Sequence, residues 1–173
     1  NNMDKMRSLV GLDAYEHKNF SVLRILFSEG KIKIQDSGIK KLSVEKKKTV
    51  KDYLEKLIAQ EMEDLVLDLR GNPGGYLLPA KQIADDFLAA NKPIVIVEGN
   101  NGFRERTVAS SSGLYENGGL YVLVDENSAS SSEIIAGAIQ DNDRGFILGR
   151  RTFGKGLVQQ QLPLGGGDQI RLT

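Results

Sequence analysis

DLVLDLRGNPGG, residues 64–75, decides the fold. DLVLDL (64–69) reads as a continuous apolar strand, and RGNPGG bounds it as a turn. The next stretch, LLPAKQIADDFLAA, sets Ile83, Ala84, Phe87 and Leu88 on one helical face. Further along the chain, PIVIVEG (93–99), FRERTVA (103–109) and LYVLV (120–124) read as strands, the charged middle one exposed. SSEIIAGAIQ then gives a short amphipathic helix through Ile134, Ile135, Ala138 and Ile139, capped by one of the serines before it. GFILG (145–149) is another strand, and GLVQQQLPLGGGDQIRLT a hairpin with a glycine-rich connection. This alternation predicts an α/β layer architecture.

Upstream, Ser43 is the expected N-cap of a helix that carries Val50, Leu54, Leu57 and Ile58 on its apolar face and ends near Gln60. SVLRILF and EGKIKIQ look like two short strands about a Glu-Gly turn, and NNMDKMRSLVGLDAYEHKNF has only weak helical spacing. The division expected is a poorly matched N-terminal segment, 1–42, followed by a core, 43–173. The chain opens on Asn1 and stops at Thr173 inside a strand-like run, so it reads as a piece of something longer.

Composition narrows the function classes. With 173 residues, 40% apolar and 27% charged, the chain resembles an ordinary globular domain with room for a substantial core. Its 23 basic residues balance 23 acidic ones, so no global field steers it to nucleic acid or an anionic membrane. The absence of cysteine removes thiol nucleophiles, Cys-based zinc sites and disulfides. No apolar run approaches the ~20 residues that span a bilayer. A single histidine, His17, lies among charged residues and reads as a surface group, so lysine is the leading candidate for any catalytic base.

Three segments could carry chemistry. In RGNPGG the glycines let backbone amides approach a substrate, although a plain tight turn has the same spacing. Ser128, Ser130, Ser131 and Ser132 lie between a buried strand and a helix, where the helix dipole favours charge developing on a hydroxyl. Serines also gather at helix starts simply to cap them, and nothing local selects one. Lys155, between two glycines, stands 25 residues after Ser130. To act as a base its pKa must fall from ~10.4 to about 7–8, which burial can accomplish; the plainer reading is an exposed turn lysine. GRRTFGK (149–155) also satisfies G-x-x-x-x-G-K, but Gly156 stands where a phosphate loop needs Ser or Thr, and a strand-like run comes next in place of a helix. Nucleotide binding is not expected. DNDRG (141–145) lacks the glycine and glutamate of a calcium loop and reads as a turn.

In combination, LVLDLRGNPGG, VLVDENSASSSEIIAGAIQDNDRG and ILGRRTFGKGLVQ resemble the C-terminal processing peptidases, or tail-specific proteases. The resemblance covers roughly 64–173 and implies a ClpP/crotonase-like α/β core with a mixed β-sheet and flanking helices. Carried over residue by residue, it implies Ser130 as nucleophile, Lys155 as general base and Gln159 as the group orienting the lysine. The oxyanion amides would be Ser131 and a glycine of the turn, Gly74 or, as the better match, Gly75. Asp141 would be structural. The resemblance implies serine-type endopeptidase activity through an acyl-enzyme, without metal or cofactor, on protein or peptide substrates with exposed C-termini. It also implies an extracytoplasmic setting and leaves room for a homo-oligomer. The PDZ domain usual in the family is not evident before residue 64. A non-catalytic peptide-binding domain on the same scaffold is the alternative.

Overall fold

The computed structural model describes residues 20–28, 31–36, 49–166 and 168–172. Five strands form one sheet: β1 (Phe20–Ser28), β2 (Lys31–Asp36), β3 (Asp64–Asp68), β6 (Gly119–Val124) and β7 (Phe146–Gly149), in the order β2-β1-β3-β6-β7. β1 pairs parallel with β3, β3 with β6 and β6 with β7, while β2 runs antiparallel along β1, so the sheet is mixed as expected. The first two strands lie within residues 1–42. β4 (Pro93–Glu98) and β5 (Arg104–Val108) form a separate antiparallel pair, as do β8 (Gln160–Gly165) and β9 (Asp168–Leu172).

The three described helices are α1 (Val50–Ile58), α2 (Leu77–Asp85) and α3 (Ser131–Asp141). Leu65, Leu67, Leu69, Leu120 and Val122 from the central strands pack with Leu54, Ile83, Phe87, Ile135 and Ile139 into one core. Strands buried on both faces explain why β3 and β6 read as unbroken apolar runs. α2 packs against α3, and β4 packs against both helices.

Several boundaries differ from expectation. α1 is capped by Thr49, whose backbone N–H and Oγ both donate to Asp52 Oδ2, at 2.6 and 2.8 Å. Ser43 lies outside the described residues, as do His17 and the Glu-Gly turn. Tyr53 rather than Ile58 completes the buried face of α1, and Ile58 is 39% exposed. α2 stops at Asp85 and tightens into i→i−3 bonds, Phe87 N–H to Ala84 O and Leu88 N–H to Asp85 O. That turn still delivers Phe87 and Leu88 to the interior. Among the described residues, no helix is long and apolar enough to cross a membrane.

Strand direction is what places the candidate chemistry. β3, β6 and β7 are adjacent and parallel, so the segments leaving their carboxyl ends emerge at one edge. These are RGNPGG, DENSAS and GRRTFGK, the three segments singled out by their residue types.

Asp86, just after α2, is buried, and its carboxyl is raised from 3.8 to about 6. Desolvation is the main cause; Lys51 opposes it, and Asp85 and Glu55 add to it. A raised carboxyl is no burden while protonated, so the cost develops as pH climbs from about 4 to 6 and is complete above that. With a discount for solvent screening, Asp86→Asn should stabilise the protein by ~1–2 kcal/mol at pH 7.5. The gain should vanish near pH 4, as read from urea unfolding at the two pH values.

Candidate active site

The turn after β6 is built from serines and one aspartate. Ser128 Oγ donates to Leu69 O at 2.8 Å and accepts the Asp125 amide at 2.9 Å. Asp125 Oδ1 accepts the amides of Gly71 and Asn127. Asn72, fully buried, receives Ala129 N–H and Ser132 Oγ at its carbonyl, each at 3.0 Å. The turns after β3 and β6 are therefore laced together by polar bonds that leave neither free to shift alone.

Gly74 is where this lacing becomes steric. It has φ +86°, and a Cβ placed there would lie 2.8 Å from Ser131 N and 2.9 Å from Ser130 Cβ, besides striking Ala129 O. Only glycine fits. Its amide donates to Asn72 Oδ1 at 3.1 Å, and the Gly75 amide donates to Ser131 Oγ at 3.1 Å. Ser131 Oγ in turn donates to Tyr76 O at 3.2 Å.

Ser130 is the residue before α3 and has φ 54°, ψ −112°, a region that L-residues rarely occupy. Strain of this kind costs ~1–3 kcal/mol and collects at functional sites; a nucleophilic serine on a sharp strand-to-helix turn is one familiar case. Ser128 and Ser132 spend their hydroxyl protons on backbone carbonyls and Ser131 on Tyr76, so the bonding itself separates Ser130 from its neighbours. The Ser131 amide, in the first turn of α3, has no acceptor among the described residues.

Glu133, which sequence reasoning passed over, connects this turn to the lysine loop. Its Oε2 accepts Ser130 N–H at 2.7 Å and Lys155 N–H at 2.9 Å, and its Oε1 accepts Gly154 N–H at 2.6 Å. Phe153 N–H donates to Ser128 O at 3.0 Å, which seals the loop to the turn. Partial burial tends to raise the Glu133 carboxyl, but the Gly154, Thr152, Ser130 and Lys155 donors outweigh it and hold the pKa below the ordinary value. The Ser-x-x-Glu spacing of a capping box was the available signal for half of this.

The backbones of Ser130 and Lys155 thus share one carboxylate oxygen. Lys155 is half-buried, and its Nζ is directed at Gln159 Oε1, 3.4 Å away. The two side chains expected to form a dyad make no hydrogen bond to each other among the described residues. Residues 151–159 have no regular structure and lead into β8, so no helix starts after Lys155 and the phosphate-loop alternative loses its anion-binding end. No group of acidic or histidine side chains suited to a metal occurs among the described residues. Asp141 is exposed at the end of α3; just beyond it Arg144 donates to Phe87 O and Tyr115 O at 2.8 and 2.6 Å.

A strained serine at the carboxyl edge of a parallel sheet, flanked by a glycine turn and a lysine loop, is the kind of placement serine hydrolases give their nucleophile. Residues 29–173 match Peptidase family S41, and the chain belongs to that family. It is 36% identical over 155 residues to the carboxy-terminal processing protease CtpB of Bacillus subtilis, covering 86% of this chain and 32% of the relative. It is 38% identical to the chloroplastic C-terminal processing peptidase of Tetradesmus obliquus, covering 68% of this chain and 25% of that protein. Among solved structures, the photosystem II D1 C-terminal processing protease superposes with a TM-score of 0.64 at 35% identity, over 71% of this chain and 31% of that one. The chain spans about a third or less of these relatives.

Two outcomes are expected for the scaffold of the site. Gly74→Ala adds a positive-φ penalty to overpacking and should destabilise by ~2–4 kcal/mol, seen as a fall of roughly 4–16 °C in Tm. Glu133→Gln sets an NH2 against backbone donors; amide exchange at Gly154 and Lys155 should accelerate at least about tenfold by hydrogen-exchange mass spectrometry.

Proposed function

We propose that this chain is the catalytic core of a serine-type endopeptidase that cleaves protein substrates near exposed C-termini through an acyl-enzyme. The carrying observation is the shared Glu133 oxygen, which fixes the strained Ser130 and the Lys155 loop relative to one another. Family membership supports the reading, as does the pairing of Lys155 with Gln159.

In this mechanism neutral Lys155 accepts the Ser130 Oγ proton while Oγ attacks the scissile carbonyl carbon. The C–N bond breaks as the lysine returns that proton to the departing amine. Water, deprotonated by the same lysine, then attacks the ester, and the new acid departs as Ser130 Oγ recovers a proton. Ser131 N–H and a glycine amide of the turn, Gly75 or Gly74, stabilise the tetrahedral oxyanion. Each such donor is worth roughly 3 kcal/mol. Gln159 holds the lysine in direction. The steps need neither metal nor organic cofactor. The family resemblance is the ground for placing the whole protein outside the cytoplasm; of the relatives above, the Tetradesmus obliquus peptidase is named as chloroplastic.

A binding domain without chemistry is the second reading, favoured by the missing bond between the Ser130 and Lys155 side chains. The two separate in the full-length natural protein incubated with a reporter bearing an apolar C-terminal tag. Ser130→Ala and Lys155→Ala should each lower turnover by at least about a thousandfold while the fold persists. Lys155→Arg should be equally inactive, since a guanidinium does not deprotonate. Turnover persisting in any of these folded variants refutes the peptidase assignment.

A further inference from the structure

The oxyanion site is unequally prepared. Ser131 N–H stands without an acceptor among the described residues, directly after the strained Ser130. The Gly75 amide, its expected partner, is already bound to the hydroxyl of that same Ser131. Ser131 is 1% exposed, whereas Gly75 lies at the surface, so this bond draws the amide inward. The hydroxyl is held in place from its other side, because its own proton goes to Tyr76 O. Gly74, immediately before the 74–75 peptide, sits at φ +86°, and the space a Cβ would need there is taken by Ser130 Cβ and Ser131 N. A peptide between two glycines turns over with little steric resistance.

We propose that the Ser131 hydroxyl is a positioning residue that keeps the Gly75 amide in reserve. One oxyanion donor is ready, and the second is delivered only when Gly75 exchanges Ser131 Oγ for the developing negative oxygen. This rests on the peptidase reading above and on Gly75 being the second donor. The exchange opposes turnover by the net worth of one neutral hydrogen bond, a factor of about five in rate. It leaves ground-state substrate binding untouched, because the neutral carbonyl of a bound peptide competes weakly for the amide while an oxyanion competes strongly. Ser131 therefore limits kcat rather than KM. The hydroxyl also keeps the amide satisfied in the resting protein, which explains why it is tolerated beside a site it slows.

The test uses the full-length natural protein with a peptide substrate and a peptidyl aldehyde, whose hemiacetal adduct places a negative oxygen in the same position. Ser131→Ala should raise kcat threefold to tenfold with KM within about twofold, and should tighten the aldehyde by a similar factor. Ser131→Cys, whose thiol is a weaker acceptor, should fall between wild type and alanine, and it decides the matter if the alanine variant does not fold. An unchanged or lower kcat in a folded variant overturns the proposal, as does an altered KM with unaltered aldehyde affinity. Hydrolysis that survives Ser130→Ala would instead overturn the peptidase reading, so the two failures remain distinct.

Discussion

Parallel pairing of β3, β6 and β7 is the constraint on which the rest of the molecule depends. Three segments far apart in sequence reach one sheet edge because the strands before them run in the same direction, side by side. No contact among the turns themselves would bring them there. The buried apolar strands supply the driving force, since Leu65, Leu67, Leu120 and Val122 leave water only when the sheet forms with its helices over it. The polar lacing of Asn72, Asp125 and Ser128 then converts proximity into a fixed arrangement.

Electrostatics at the site come from backbone dipoles more than from paired side chains. Glu133 gathers amides from the start of α3 and from the lysine loop. A carboxylate in the first turn of a helix also gains from the helix dipole. Holding Lys155 by its backbone leaves its side chain directed at Gln159, a neutral acceptor.

How much of the fold and site was legible depends on the range of the interactions. Buried strands and amphipathic helices announce themselves locally, so β3, β6 and α3 read correctly from apolar spacing. Helix ends are settled by competition between near-equal caps, and Thr49 beside Asp52 completes a capping box for α1. Tyr53 was missed because its ring is apolar but its hydroxyl disguises it in a pattern of leucines. The Glu133 bridge and the Ser131–Gly75 bond join residues 21 to 56 positions apart, so no local window could contain them. The conformation of Ser130 is likewise imposed by its surroundings, since nothing in the residue type asks for a positive φ.

That conformation has an evolutionary corollary. A sequence shaped by thermal robustness alone would place glycine at 130, where the same backbone angles carry no steric charge. On the peptidase reading proposed above, serine there sacrifices folding stability for a hydroxyl, the familiar antagonism between durability and reactivity in enzymes. In this chain the antagonism is concentrated on a single pair of torsion angles.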